Sequence, residues 1–273
     1  MTTALSSVRR AFDRAAASYD EAADLQREVA NRLALRLDSL LPGLVQESGC
    51  VLDIGSGTGY GAGLLRDRLP AARILELDIA PAMLRMARQR RDAAGHGLDC
   101  TGICADLEAL PLREACVDLV WSSLALQWAA RLGPALAGVH RCLMPGGVLH
   151  FSTLGPGTLG ELAASFASVD RYRHVNRFTA PEEIRVLLAE AGFTAVRLEQ
   201  ESLVMEYEDV AGVLRGLKAI GARRVVEEGV PGLMGKHHWA QAVANYEALR
   251  RNGKLPATYQ VIYATARNAG LTG

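Results

Sequence analysis

The chain is 273 residues long, 49% hydrophobic and 22% charged, with 30 basic residues against 30 acidic ones and a formal net charge of zero. That composition excludes disordered and fibrous classes, and a neutral chain is not built to bind nucleic acid through bulk positive charge, although local basic patches stay open. The length allows one large α/β domain, or two small ones, with a substantial core.

The first 15 residues carry Arg9, Arg10 and Arg14 with no apolar run behind them, so no secretory signal is read there. No stretch reaches about 18 uninterrupted apolar residues, so no membrane span is predicted and a cytoplasmic location is expected. Over residues 4–40, Leu25, Val29, Leu33, Leu37 and Leu40 recur at helical spacing and stop before Pro42-Gly43, which predicts a helical N-terminal segment. An apolar run at 50–54 is broken by Gly55, Gly57, Gly59, Gly61 and Gly63 and followed by an apolar stretch at 64–69: strand, glycine-rich turn, helix. A second strand at 73–77 ends at Asp78, and Pro81 opens a helix with Met83, Leu84 and Met86 facing inward, completing a βαβ unit.

Residues 101–105, 117–122 and 148–153 read as the next strands, with a helix at 136–143 stopped by Pro145-Gly146-Gly147. Helical stretches follow at 159–169, 181–191, 210–220 and 237–250, with an arginine-rich link at 171–177, a strand at 195–198, a glycine-rich linker at 227–235 and a closing strand at 258–266. Alternating strands and helices predict a doubly wound, mostly parallel α/β sheet with a helical insertion before the last strand. Cys50, Cys100, Cys104, Cys116 and Cys142 are odd in number and sit mostly among apolar neighbours, so reduced core thiols are expected. The histidines are scattered without metal-site spacing, and no metal is expected.

Asp53-Ile54-Gly55-Ser56-Gly57-Thr58-Gly59 stands at the carboxyl end of the first strand, where open α/β sheets bind ligands, and its glycines let a ligand approach the backbone. Gly57, Gly59 and Ala62 also satisfy the spacing of a dinucleotide site, with Asp78 about 20 residues on, so the glycines alone leave two cofactors open. Acidic residues separate them. Asp53, Asp78 and Asp106 make three strand-end carboxylates around one crevice, which repel a diphosphate and suit a ligand bearing an ammonium, a sulfonium, ribose hydroxyls and an adenine amine. S-adenosylmethionine is that ligand, although Asp78 or Asp106 taken singly reads equally well as a helix N-cap.

Over residues 48–155 the sequence resembles the class I S-adenosylmethionine-dependent methyltransferases. Val51-Leu52-Asp53-Ile54-Gly55-Ser56-Gly57-Thr58-Gly59, Leu77-Asp78-Ile79-Ala80-Pro81-Ala82-Met83-Leu84, Ala105-Asp106-Leu107-Glu108-Ala109-Leu110-Pro111 and Leu143-Met144-Pro145-Gly146-Gly147 follow that family's motifs in order. The resemblance implies a Rossmann-like, mostly parallel seven-stranded sheet. It also implies that the Gly55 to Gly59 turn faces the methionine part of the cofactor, Asp53 holds its amino group, Asp78 takes the ribose hydroxyls and Asp106 with Leu107 meets the adenine. Ser56, Ile79, Met83 and Ser122 are further cofactor contacts implied in the same way.

Segments outside that core resemble one family, the malonyl-acyl-carrier-protein O-methyltransferases of biotin synthesis: Ala11-Phe12-Asp13-Arg14-Ala15-Ala16-Ala17-Ser18-Tyr19-Asp20, Ser122-Ser123-Leu124-Ala125-Leu126-Gln127-Trp128, Asn176-Arg177-Phe178, and Leu217-Lys218-Ala219-Ile220-Gly221-Ala222 with Ala257-Thr258-Tyr259. The resemblance then spans nearly the whole chain. It implies methyl transfer to the free carboxylate of a malonyl thioester, carried on acyl carrier protein or coenzyme A, giving the methyl ester that primes pimeloyl and biotin synthesis and leaving S-adenosylhomocysteine. It further implies an N-terminal helical lid over residues 1–42 and a methyltransferase domain over 43–273, divided into a cofactor half at 48–155 and a substrate and insertion region at 156–255; a monomer is expected. The alternatives are a methyltransferase for another small carboxylic acid, a nicotinamide-dependent oxidoreductase using Gly57, Gly59, Ala62 and Asp78, and a cofactor-binding module without catalysis.

A carboxylate is ionised near neutral pH, so attack on a sulfonium methyl needs no general base, only a near-attack distance of about 3 Å and the exclusion of water; no catalytic acid–base pair is expected. The acceptor does need an anchor, and a bidentate guanidinium suits a carboxylate, which selects Arg177, with Arg171 and Arg173 nearby, against the reading of a solvated surface arginine. Tyr19 is a substrate hydrogen-bond donor if the N-terminal helix folds over the crevice, and otherwise an amphipathic residue at a helix boundary. Gln127 and Trp128 follow the fourth strand and should line the same crevice, although core packing explains Trp128 equally well. An acidic carrier calls for a basic rim, for which Arg9, Arg10 and Arg14, Arg171 and Arg173, and Lys218, Arg223 and Arg224 are the clusters, each readable alone as a solvated helix face.

Overall fold

The computed structural model describes residues 3–40, 49–95, 100–169, 174–219 and 236–270. Arg171, Arg173, Arg223, Arg224, the stretch 220–222 and the linker 227–235 lie outside the described residues, as does the Lys218 side chain. In chain order the elements are α1 (Thr3–Ala15), a 3-10 stretch (Ala16–Ala22), α2 (Asp24–Asp38), β1 (Cys50–Ile54), α3 (Tyr60–Arg68), β2 (Arg73–Asp78), α4 (Pro81–Ala93), β3 (Cys100–Cys104) and β4 (Val117–Ser123). A 3-10 turn (Leu126–Trp128), α5 (Leu132–Cys142), β5 (Leu143–Leu154), α6 (Gly160–Ala167), α7 (Pro181–Glu190), β6 (Phe193–Tyr207), α8 (Val210–Ala219), α9 (Lys236–Glu247) and β7 (Leu255–Asn268) follow. They fall into two compact units: Met1–Thr153 with Pro181–Glu199 and Tyr263–Gly273, and Leu154–Ala180 with Gln200–Ile262.

The seven strands form one sheet in the order β3-β2-β1-β4-β5-β7-β6, and the β1–β2, β1–β4, β2–β3 and β4–β5 pairings are parallel, so the expected α/β sheet is the one found. Val51, Leu52 and Ile54 of β1 and Leu119, Val120 and Trp121 of β4 are fully buried, the continuous apolar pattern of strands covered on both faces. In the first unit α2 buries Leu25, Val29, Ala30, Leu33, Ala34 and Leu37, the stripe read from the sequence. The N-terminal segment is not one helix: Asp20 O accepts a hydrogen bond from Arg27 Nη1 (2.5 Å), and the chain tightens to 3-10 before α2 starts.

Three readings are corrected. β6 runs for 15 residues, because an edge strand buries little (only Phe193 and Leu203) and Glu199-Gln200-Glu201 hide its alternation. The helix at 136–143 starts earlier, at Leu132, and ends at Cys142; Leu143 already pairs with Val117, and Val148 with Leu119, so Pro145-Gly146-Gly147 form a bulge inside β5. Of the five free cysteines only Cys142 is buried, Cys104 being exposed and the others half-buried, since β3 is an edge strand and Cys50 and Cys116 stand at strand starts.

In the second unit, Tyr246 and Tyr259 are buried, Tyr246 donating to Pro256 O (2.8 Å) and Tyr259 lying 3.3 Å from the Tyr207 hydroxyl. Burial pushes both phenols above their ordinary pKa. Phe166 stacks on His174 at 3.8 Å, and Asn245 of α9 donates to Ser165 O of α6 (2.9 Å).

His150 of β5 joins α2 to β7 inside the first unit: Nε2 donates to Leu33 O (3.0 Å) and Nδ1 accepts from Thr265 Oγ1 (2.9 Å). Burial holds its pKa down at about 4, from 6.5. The unfolded chain therefore takes up a proton as pH falls through 6.5 while the native state stays neutral to about 4, so the ring's contribution is full above 6.5 and is lost below it. Going from neutral pH to about pH 5, the stability difference between the wild type and His150→Gln in urea titrations should narrow by about 2 kcal/mol. A difference that stays constant over that range would show that the ring does not titrate this way.

Candidate functional site

β1 ends at Ile54, and the chain turns through Gly55, Gly57 and Gly59, all at positive φ (72°, 55° and 83°). The turn is fixed to the end of β2: Gly55 and Ser56 N–H groups donate to Leu77 O (2.7 and 3.0 Å), and Gly57 N–H donates to Asp78 Oδ2 (3.0 Å). The three glycines have different surroundings. A Cβ at 55 would lie 2.2 Å from Ala125 Cβ and one at 59 would lie 3.1 Å from Ala87 Cα, whereas one at 57 would meet nothing. Gly55 and Gly59 thus serve close packing inside the protein, and Gly57 is the one of the three that leaves open space.

Asp53 is 2% exposed, and burial together with the charges of Glu76 and Asp78 raises its carboxyl well above the usual range. Glu76, equally buried, is its register partner on β2 and is paired with Arg91 of α4. Asp78 accepts from Ala80 N–H (2.8 Å) at Oδ1 and from Gly57 N–H at Oδ2; burial raises its carboxyl and these bonds oppose the shift. Asp106 is half-buried two residues past Cys104, the register partner of Asp78, and its Oδ1 accepts from Glu108 N–H (2.9 Å). Asp53 and Asp78 are therefore brought together, Asp106 stands at the neighbouring strand end, and both Asp78 and Asp106 also cap local backbone. Ile79 and Leu107 are half-buried beside them, and Met83 is buried in α4.

A cavity at this strand end is lined by Tyr19, Gln26, Arg27, Asp53, Ser56, Gly57, Gly61, Trp121 and Ser123, among others. Asp53 Oδ2, Ser56 Oγ and Trp121 Nε1 are buried there without a hydrogen-bond partner. A Cβ on Gly61 would stand 3.1 Å from both Asp53 Oδ2 and Trp121 Nε1, so the missing side chain keeps open the space between an acceptor and a donor. Each such orphan costs about 1–3 kcal/mol in a closed protein, a cost that a polar group entering the cavity would relieve.

Ser122 is turned away: its hydroxyl donates to Ile54 O (3.0 Å), and by strand alternation its neighbours Trp121 and Ser123 reach the cavity. Gln127 Oε1 accepts from Thr153 Oγ1 (3.3 Å) and its Nε2 is buried without a partner. Trp128 packs edge-on against Phe12 of α1 at 5.0 Å, and Phe12 lies 6.3 Å from Tyr19. Burial, then the charges of Asp78 and Asp20, push the Tyr19 phenol up, so it remains protonated and can donate. Arg177 belongs to the second unit, where it is exposed after the buried His174 and Val175. Sequence reasoning missed Trp121, because a tryptophan in a strand reads as core, and Glu76, a lone acid in the apolar run Ile74-Leu75-Glu76-Leu77.

A family described as "Methyltransferase domain" matches residues 52–151. Among solved structures the chain is similar to the YcgJ protein of Bacillus subtilis (TM-score 0.63, 16% identity, 87% of this chain and 98% of that one). It is also similar to phosphoethanolamine N-methyltransferase 2 of Haemonchus contortus, solved with S-adenosylhomocysteine (TM-score 0.57, 18% identity, 88% and 53%); these likenesses establish the fold. Curated relatives named malonyl-[acyl-carrier protein] O-methyltransferase are 48% identical in Laribacter hongkongensis (96% of this chain, 88% of the relative) and 45% identical in Gallionella capsiferriformans (95% and 89%). With a class I fold, a polar cavity at its first strand end and this identity over nearly its full length, the chain belongs to the malonyl-[acyl-carrier protein] O-methyltransferase family.

Proposed function

We propose that the protein transfers a methyl group from S-adenosylmethionine to the free carboxylate of the malonyl thioester on acyl carrier protein, forming the methyl ester that primes pimeloyl and biotin synthesis. The observation that carries this reading is the buried Asp53 Oδ2, without a hydrogen-bond partner and bordering with Trp121 Nε1 the space that Gly61 leaves, in a cavity whose wall also holds the buried, unpartnered Ser56 hydroxyl. A ligand bearing both an ammonium and a carboxylate satisfies all three groups, and a dinucleotide phosphate in that gap would face Asp53. Family membership supports the malonyl acceptor and the protein carrier.

When bound, S-adenosylmethionine supplies an electrophilic methyl group on a sulfonium. The chain's task is to orient and to dry. Asp53 takes the ammonium, the Gly55 to Gly59 turn with Ser56 borders the methionine part, Asp78 and Ile79 face the ribose, and Asp106 with Leu107 faces the adenine, while Met83 lies under the N-terminal segment. Both Asp78 oxygens keep a lone pair beyond the N–H groups they accept. Ser122 acts indirectly, fixing β4 to the end of β1. Phe12, Trp128 and Tyr19 keep water from the reacting groups, and Tyr19 and Gln127 Nε2 donate to the acceptor, with Arg177 as the anchor of its carboxylate. No proton needs to move, because the nucleophile is already an anion. The protein is proposed to act as a monomer; among the described residues no helix is long and apolar enough to cross a membrane.

Mass spectrometry of malonyl-acyl carrier protein incubated with enzyme and S-adenosylmethionine should show one added methyl group, with free malonate unmodified. Arg177→Ala should lower kcat/KM by about 10- to 100-fold, the worth of a charged hydrogen bond. An unmethylated carrier despite cofactor binding would discard the malonyl reading and keep the fold; malonyl-coenzyme A serving as well as the carrier would discard the protein carrier.

Asp53→Asn separates stability from binding. Removing a buried charge from beside Glu76 and Asp78 should raise the Tm of the unliganded protein, while S-adenosylhomocysteine binding measured by calorimetry weakens roughly tenfold or more. Because the Asp53 carboxyl is held high, lowering the pH should weaken that binding in the wild type as a proton displaces the ammonium, and should do so less in the Asn variant. Equal affinities would show that Asp53 does not hold the cofactor.

A further inference from the structure

We propose that Asp20 is a positioning residue, a latch that fastens the N-terminal segment and its Tyr19 to the glycine-rich turn and so couples the docking of that segment to cofactor binding. The proposal rests on the cofactor half of the function above and is independent of the methyl acceptor.

Asp20 lies in the 3-10 stretch and makes bonds in three directions. Its Oδ1 accepts from Thr58 Oγ1 (2.7 Å), its Oδ2 pairs with Arg90 of α4, and its carbonyl accepts from Arg27 Nη1 of α2 (2.5 Å). Thr58 is 3% exposed and stands between Gly57, whose N–H binds Asp78, and Gly59. Arg90 in turn sits 5.9 Å over the Tyr60 ring, and the Tyr60 hydroxyl donates to Asn31 of α2 (2.9 Å). Seven residues earlier, Asp13 Oδ1 accepts from Ala82 N–H (3.0 Å) and completes the N-terminus of α4, where Ala80 has no side chain to do so.

Two acids of the N-terminal segment therefore grip the turn that lines the cavity and the helix α4 that follows β2, and Tyr19, next to Asp20, is on the cavity wall. Beneath these bonds Phe12, Ala16 and Tyr19 meet Ala80, Ala82, Met83 and Met86, and Phe12 also packs on Trp128. That apolar contact is non-directional, and the bonds of Asp20 tie the segment to the turn in one register. The Asp20 side chain is itself 38% exposed, so neutralising it opens no core.

The test uses the full-length protein with S-adenosylhomocysteine as probe. Asp20→Asn should weaken its binding roughly tenfold with little change in the Tm of the unliganded protein, and Asp20→Glu should recover part of the loss. In the wild type the probe should slow trypsin cleavage at Arg9, Arg10 and Arg14, and in Asp20→Asn that protection should disappear. Thr58→Val should weaken binding alone, and the double variant should bind no worse than the weaker single variant, the signature of one shared interaction. Wild-type affinity and intact protection in Asp20→Asn, or additive losses in the double variant, would overturn the latch and leave the cofactor reading standing; a wild type that does not bind the probe would overturn both.

Discussion

Like charges directly opposite one another on adjacent strands repel, and here two of them are also removed from water. Asp53 of β1 and Glu76 of β2 are register partners, each 2% exposed, and Asp78 follows on the same face of β2. Each acid is answered differently. Arg91 reaches from α4 to Glu76, which fixes the helix over the strand. Asp78 is surrounded by N–H groups of Gly57 and Ala80, which fixes the turn and the start of α4. Asp53 Oδ2 has no answer in the protein, and an uncompensated buried acid is a demand for a cation from outside. Under the proposed function the ammonium of the cofactor supplies that charge.

The N-terminal segment extends the same logic. Asp13 and Asp20 add two more acids to this end of the sheet, but both are used at once, one on a helix N-terminus and one on Thr58 and Arg90. The segment is bonded to the turn that lines the same cavity, so under the proposed function the wall that excludes water and the loop that holds the ligand are one connected part. A carboxylate nucleophile makes such closure sufficient for catalysis: with no proton to transfer, position and dryness are what the protein can offer.

Much of this was legible in the sequence because it depends on local chemistry. The run Val51 to Ile54 can only be a strand, the glycines after it can only be a turn, and Asp53, Asp78 and Asp106 stand where a strand ends and a helix or turn begins. What escaped depends on neighbours far away in sequence. Nothing in Trp121 itself says that its N–H lacks a partner, since this follows from the register that sets β4 beside β1 and from Gly61 leaving the space. Ser122 and Ser123 are identical in type, and only the pleat decides that the first bonds Ile54 O while the second faces the cavity. The sequence of β6 shows a strand over only four of its 15 residues, because an exposed edge strand lacks the apolar alternation that betrays a buried one. The chemistry of Arg177 is legible in any arginine; its place after the buried His174 and Val175 of the second unit is not.

The contact of Gly55 with Ala125 has a further meaning for divergence within the fold. The volume denied to a side chain at 55 is filled by the methyl of 125, so the cofactor turn and the loop after β4 share a single atom's clearance. That loop begins with Leu124 at a φ of 50°, its N–H bonded to Ser152 O, and Ala125 follows it directly. A side chain at 55 or a larger one at 125 would force the turn and the loop apart, so a change at either position has to be met at the other.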